Sequence, residues 1–268
     1  MQFIYPCRLW SIPRTGDNVF GTVPISTTTK NDKSTAIERS QHAIALGHTP
    51  RWRPRMERSG NKEQSIVQSA SDQWFDEAYY QRYYFDKKTS VVDPAHVERL
   101  GAFVCSYLQY LRVPVRRVLD VGCGIGLWRD MVTRHFPGVA YHGVEVSDYL
   151  CARYGWQRGS VVDYRSPEPF DLVICQGVLP YLSAADLKLA LHNLGTLSRG
   201  ALYLEAVTRE DYERDTIDET LTDPRLFRHR AQLYRRGLAE GFTELGGGLW
   251  LSHQAEVPLF ELECAGGR

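Results

Sequence analysis

The chain has 268 residues, 43% hydrophobic and 24% charged, and its 32 basic side chains balance 32 acidic ones. That length suits one sizeable core with an appendage, and the charge balance argues against a general nucleic-acid binder, which needs a basic surface. No apolar run approaches the roughly 20 residues of a membrane span, and Pro6, Arg8 and Pro13 interrupt the stretch where a secretory signal would be apolar; the expectation is a cytoplasmic protein without a membrane partner.

Charge is unevenly placed. Residues 1–71 hold 10 Lys/Arg against 5 Asp/Glu, leaving 22 against 27 for the rest. Rich in Ser, Thr and Pro, with one brief helical pattern at 35–46, this stretch reads as a basic, disordered N-terminal extension. Within it, 51–55 (Arg-Trp-Arg-Pro-Arg) is suited to an acidic partner, against the simpler reading of a solvated tail. Met56 offers an alternative start.

Residues 72–92 turn aromatic, with Trp74, Phe75, Tyr79, Tyr80, Tyr83, Tyr84 and Phe85 close together. The four-residue spacing of Tyr79 with Tyr83 and of Tyr80 with Tyr84 predicts a short amphipathic helix that lays rings on the domain. Asp93-Pro94 then reads as a helix start, followed by Val97, Leu100, Val104, Leu108 and Leu111 at helical spacing.

The most informative stretch is 117–126, Arg-Val-Leu-Asp-Val-Gly-Cys-Gly-Ile-Gly. Val118, Leu119 and Val121 suit a strand buried on both faces, and Gly122, Gly124 and Gly126 suit a tight turn whose backbone a ligand can approach. Asp120 falls at the strand's carboxyl end, where open α/β sheets bind ligands. The glycines run Gly-x-Gly-x-Gly and not the Gly-x-Gly-x-x-Gly of a dinucleotide cradle. An acid before the first glycine suits a ligand that is not a phosphate, one with a cationic or hydrogen-bond-donating part for Asp120 to face.

A helix over 127–135 follows, then a second strand ending at Glu145, a third strand end near 158–163, and a fourth strand in 169–182 containing Asp171 and Gln176. Ser183-Ala-Ala-Asp186 is a capping pattern for a helix over 184–194 that Gly195 ends or loosens. The pattern predicts a fifth strand at 199–207, a polar loop at 208–227, helical character at 228–241, and two final strands at 242–251 and 256–263. Strands alternating with helices predict an α/β doubly wound, mostly parallel sheet.

From Tyr79 to about Glu263, and most strongly from Val118 to Leu182, the chain resembles the class I S-adenosylmethionine-dependent methyltransferases. The resemblance implies a Rossmann-like seven-stranded sheet with an antiparallel C-terminal edge hairpin, residues 93–268 as the methyltransferase domain, and S-adenosyl-L-methionine as cofactor. It makes Asp120, Gly122, Cys123, Gly124 and Gly126 the first cofactor-binding motif, and Glu145 the anchor for the ribose hydroxyls. Ser160 stands where the family usually has Asp, so the adenine contact falls to the Ser160 hydroxyl, to the backbone or to Asp163, with Val161 lining the ring. Gln176 completes the cofactor set. Tyr79 and Tyr80 are lid candidates, against plain packing of that helix on the core. Glu205 is the candidate base and Tyr181 a second catalytic candidate, each against the reading of a paired or packed side chain.

The turn 176–181, Gln-Gly-Val-Leu-Pro-Tyr, differs from the Asn/Asp-Pro-Pro-Tyr/Phe of amine methylation on bases, which argues against a nucleic-acid acceptor and for a small molecule. A protein side chain, with the basic tail as docking element, remains an alternative acceptor. The six cysteines (Cys7, Cys105, Cys123, Cys151, Cys175, Cys264) form no Cys-x-x-Cys pair and no metal-ligand spacing with histidine, so no metal is expected. His142 reads as a core side chain, and His192 and His229 as helix-surface positions. Two other classes stay open at this stage, a nicotinamide-dependent oxidoreductase and a catalytically silent partner-binding protein. The oligomeric state is not encoded in any of these features.

Overall fold

The computed structural model describes residues 74–91 and 93–265. The expectations for the 1–71 extension, its 35–46 helix and its 51–55 cluster lie outside the described residues. One sheet contains β1 (Arg117–Val121), β2 (Ala140–Glu145), β3 (Gln157–Arg158), β4 (Phe170–Gln176), β5 (Ser198–Glu205), β6 (Phe242–Gly246) and β7 (Leu249–Ser252), in the order β3-β2-β1-β4-β5-β7-β6. The first five run parallel, and β7 lies antiparallel between β5 and β6. This is the expected doubly wound sheet with an antiparallel edge. The inverted β7 sets it apart from the parallel 3-2-1-4-5-6 order of dinucleotide folds. Strand order reverses between β1 and β4, and the carboxyl ends of strands at such a switch point are where open α/β sheets bind ligands.

The central strands are apolar on both faces because helices cover both. Val118 of β1, Leu172 and Ile174 of β4 and Tyr203 of β5 pack with α2 (Pro94–Tyr110) and α3 (Leu127–His135). Leu119, Val121, Val173, Cys175, Leu202 and Leu204 pack with α5 (Ala184–Leu197) and α7 (Ala231–Leu238). Asp93 caps α2 by accepting from the Ala95 N–H at 2.9 Å, and Ser183 caps α5 by accepting from the Asp186 N–H at 3.2 Å. Gly195 does not end α5, which continues to Leu197. A helical glycine costs about 1 kcal/mol, less than burying Leu194 and Leu197 gains.

The aromatic segment forms α1 (Glu77–Tyr80), which continues as a π-helical turn over Gln81–Phe85. Its rings pack against Leu150 and Tyr149 of α4 (Asp148–Tyr154) and against Ile125 of the glycine turn. The 208–227 stretch is loop except for α6 (Arg209–Glu213), which Thr208 and Asp211 cap reciprocally.

Two strand expectations need correction. The stretch 242–251 is not one strand but the whole hairpin, because Gly246, Gly247 and Gly248 adopt φ of +85°, +59° and +81° and reverse the chain. Residues 256–263 form no strand; Glu256 has φ +50°, Pro258 lacks the N–H a ladder needs, and only a 3-10 turn forms at Glu261–Glu263.

Asp171, part of the Phe-Asp-Leu-Val stretch, lies at the amino end of β4, away from the cleft. Its Oδ2 accepts from the Arg116 and Arg117 N–H groups at 2.8 and 2.9 Å, and its Oδ1 from Arg199 Nε at 2.7 Å. Burial raises its pKa, but the Arg199 and backbone hydrogen bonds outweigh that and hold the carboxyl below its ordinary value. Asp171→Ala leaves two backbone donors unsatisfied and should lower the unfolding free energy by about 2–4 kcal/mol, measured by urea titration.

Candidate active site

β1 ends at Gly122, where the chain turns into α3. Glycine is required there twice over. The φ of +67° strains any L side chain, and a Cβ would lie 2.4 Å from Val178 Cγ2, on the turn after β4. At Gly126, with φ +80°, a Cβ would lie 2.6 Å from the Trp156 ring. The turn is tied to the sheet by the Gly122 and Cys123 N–H groups, which donate to the Val144 carbonyl at 2.7 and 3.2 Å. Trp156 Nε1–H donates to the Gly124 carbonyl at 2.9 Å. Sequence reasoning missed Trp156. A signal existed in Gly143, a glycine inside a strand, which marks a close approach: a Cβ there would lie 2.6 Å from the same indole.

Strand register decides whether the acids share a space. Asp120 pairs with Gly143 in β2 and with Ile174 in β4, and Gln176 pairs with Glu205 in β5. Side chains alternate along strands, so Asp120, Glu145, Gln176 and Glu205 all project from one face of the sheet, at its carboxyl end. Asp120 and Glu145 are both buried. After burial, their charges are the next causes that push up the pKa of the Cys123 thiol between them.

Asp120 Oδ2 accepts from the Tyr141 hydroxyl at 2.5 Å. Burial pushes the Asp120 carboxyl up to about 6, against the opposing effect of that hydrogen bond, and the Glu145 charge adds to the rise. Glu145 Oε2 accepts from the Gly124 N–H at 2.9 Å, and Oε1 from the Val146 and Ser147 N–H groups at 2.8 and 3.1 Å. A carboxylate offers about four lone-pair sites, so Glu145 holds the glycine turn and still has room for one donor on Oε2.

Gln176 is engaged at both ends of its amide. Trp128 Nε1–H donates to its Oε1 at 2.7 Å, and its Nε2 donates to Glu205 Oε2 at 3.0 Å. The Tyr203 hydroxyl donates to the same Glu205 oxygen at 2.9 Å. Glu205 Oε1 is buried and takes no hydrogen bond among the described residues. Burial pushes the Glu205 carboxyl up to about 7, although the Tyr203 and Gln176 hydrogen bonds act the other way.

The remaining expected residues are placed as follows. Ser160 starts the turn after β3: its Oγ accepts from the Val162 N–H at 3.2 Å, and its carbonyl from the Tyr164 N–H at 2.8 Å. Val161 is buried beside it, and Asp163 is exposed. Tyr79 and Tyr181 are buried, with hydroxyls 3.0 Å apart, and Tyr181 donates to Asp223 Oδ2 at 3.0 Å. Arg225 grips Asp223 and lies 5.2 Å from the Tyr79 ring centroid. The Tyr181 hydroxyl thus links Tyr79 of α1 to Asp223 of the 208–227 stretch. Tyr80 is fully buried, and burial, with the nearby Glu145 charge, raises its pKa well above the ordinary value.

Residues 119–199 match a family model described as a methyltransferase domain. No curated protein matches the chain. Its fold is similar to that of magnesium protoporphyrin IX methyltransferase from Synechocystis PCC 6803 with bound S-adenosylhomocysteine, at 15% identity over 71% of this chain and 98% of that one, with a TM-score of 0.49. It is similar also to an amino pentose methyltransferase from Micromonospora echinaspora with bound S-adenosylmethionine, at 18% identity over 59% and 94% of the two chains and a TM-score of 0.44. A Pyrococcus horikoshii OT3 protein shares 16% identity over 66% and 97%, with a TM-score of 0.49. Among the described residues, no group of His, Cys, Asp and Glu comes together to hold a metal, and no described helix is long and apolar enough to cross a membrane.

Proposed function

We propose that this chain transfers a methyl group from S-adenosylmethionine to a small-molecule acceptor. The observation that carries this reading is the co-facial pair Asp120 and Glu145 beside a turn whose Gly122 leaves room for no side chain. Those residues fit the donor's chemistry. Asp120 is a buried acid suited to its ammonium, Glu145 has one lone-pair site left for a ribose hydroxyl, and Val161 is an apolar wall near an adenine. Tyr80, packed beside Glu145, and Tyr79 serve as the roof.

When bound, S-adenosylmethionine supplies a methyl carbon on a positively charged sulfur, and an acceptor's lone pair forms the new bond as the carbon–sulfur pair returns to sulfur. The chain's own task is to align the partners in a dry cleft and to receive a proton where the acceptor must lose one. Glu205 is the base for that step. The described cysteines are all free, which suits a reducing compartment such as the cytoplasm. Isothermal titration with S-adenosylmethionine, followed by mass spectrometry of a cell extract incubated with methyl-labelled donor, tests binding and transfer in turn.

Two results are expected of the donor pocket. Glu145→Ala removes both the ribose partner and the clamp on the Gly124 N–H, and should weaken donor binding by about 1–3 kcal/mol, read by titration calorimetry. Donor affinity should also depend on pH. Below pH 6 the Asp120 carboxyl is protonated and no longer attracts a cation, so affinity should fall by about tenfold per unit below that point and level off above it. Stability follows the opposite trend. A carboxyl whose folded pKa is raised contributes stability that is full below its unfolded value of about 3.9 and lost as pH rises through about 6. Without donor, Asp120→Asn should therefore melt above the native chain at pH 8, by thermal denaturation.

A further inference from the structure

Glu205 sits at the carboxyl end of β5 with its two oxygens in unlike surroundings. The cause runs through Trp128. An indole N–H only donates, so the group facing it on Gln176 must be the carbonyl oxygen, at 2.7 Å. That fixes the orientation of the Gln176 amide, which leaves its NH2 to donate to Glu205 Oε2 at 3.0 Å. The Tyr203 hydroxyl donates to the same atom. Oε2 is doubly held, and Oε1 is buried without a partner among the described residues. A buried polar atom left bare is costly, and at the mouth of a ligand site its partner is expected to be the ligand.

We propose that Trp128 and Gln176 are positioning residues that hold Glu205 with one bare oxygen toward the acceptor, so that the acceptor enters as a hydrogen-bond donor, an amine or a hydroxyl compound, and not as a carboxylate or phosphate. This rests on the methyltransferase reading above and narrows its substrate class. An anionic acceptor would meet a carboxylate oxygen that forms no ion pair with a lysine or arginine among the described residues; Arg225, 5.2 Å from the Tyr79 ring centroid, is committed to Asp223. The acceptor's N–H or O–H proton passes to Glu205 Oε1, and the electron pair it leaves on nitrogen or oxygen forms the bond to the methyl carbon. Trp128 is 1% exposed and Gln176 2%, so the relay is shielded from water that would otherwise satisfy either amide orientation.

The test uses the full chain labelled with 15N-tryptophan. The Trp128 indole resonance, assigned by its loss in Trp128→Phe, should shift with pH about a midpoint near 7, because protonating Glu205 changes the hydrogen bond that Gln176 gives it. In Glu205→Gln that titration should disappear while the resonance itself remains. A Trp128 signal that does not move between pH 5 and 9 in the native chain, or moves equally in Glu205→Gln, overturns the relay. Mass spectrometry of the extract product decides the class: methylated nitrogen or hydroxyl oxygen supports it, and a methyl ester overturns it. Donor titration is measured alongside, so failure of the relay with donor binding intact is distinguishable from failure of the methyltransferase reading, in which the native chain binds no donor.

Discussion

Gly122→Val should abolish donor binding while leaving most of the sheet folded. A β-branched residue at φ +67° carries a backbone penalty of about 1–2 kcal/mol, and its Cβ would collide with Val178, 2.4 Å away. Either the turn retreats or Val178 is displaced, and both changes distort the surface between Asp120 and Gln176 that a nucleoside would touch. Asp120→Ala should have as large an effect by another route. It removes the one carboxylate on β1 and strands the Tyr141 hydroxyl, while sparing the apolar contacts of Val118, Leu119 and Val121 that build the strand. Circular dichroism close to native, with no heat of donor binding in either variant, is the expected pattern.

Glu205→Gln should slow methyl transfer by about 10²–10⁴-fold, the range for removing a general base, with a smaller change in donor affinity. The amide cannot take a proton, and its NH2 would compete for the place of Oε1. The native rate should rise with pH through about 7 as Glu205 ionises, and the rise should vanish in the variant. Label incorporated into the extract product, followed over pH 5.5–9, is the measurement. A pH profile unchanged by the substitution would remove Glu205 from the proton path.

The first half of the site is legible in the sequence because it is local. An apolar run, an acid and alternate glycines are adjacent letters, and the backbone they demand is the backbone found at 117–126. Glu145 is legible for the same reason, as an acid closing a strand. What joins it to Asp120 is the parallel register of β1 with β2, which follows from the alternation of strands and helices.

The network around Glu205 is not legible. Trp128 is close to Gly126 in the chain, yet its partner Gln176 is 48 residues on, and no spacing rule predicts that an indole on α3 meets an amide on β4. Gln176 reads from sequence as a cofactor contact, and the engagement of its side chain by Trp128 and Glu205 is visible only in the structure. Tyr181 reads as a catalytic candidate because it follows β4; that its hydroxyl also meets Tyr79 and, from a loop 42 residues away, Asp223 is not legible. The edge hairpin is read in the wrong place for a different reason. Phe242, Leu249 and Leu251 resemble one continuous strand, and only the three successive left-handed glycines divide them.

The most direct measurement is calorimetric titration of the purified chain with S-adenosylhomocysteine, set beside Asp120→Ala and Glu145→Ala. Saturable binding by the native chain, lost in the first variant and weakened in the second, is the expected result. No binding by the native chain, or native affinity in both variants, would contradict an adenosyl site at the carboxyl ends of β1 and β2.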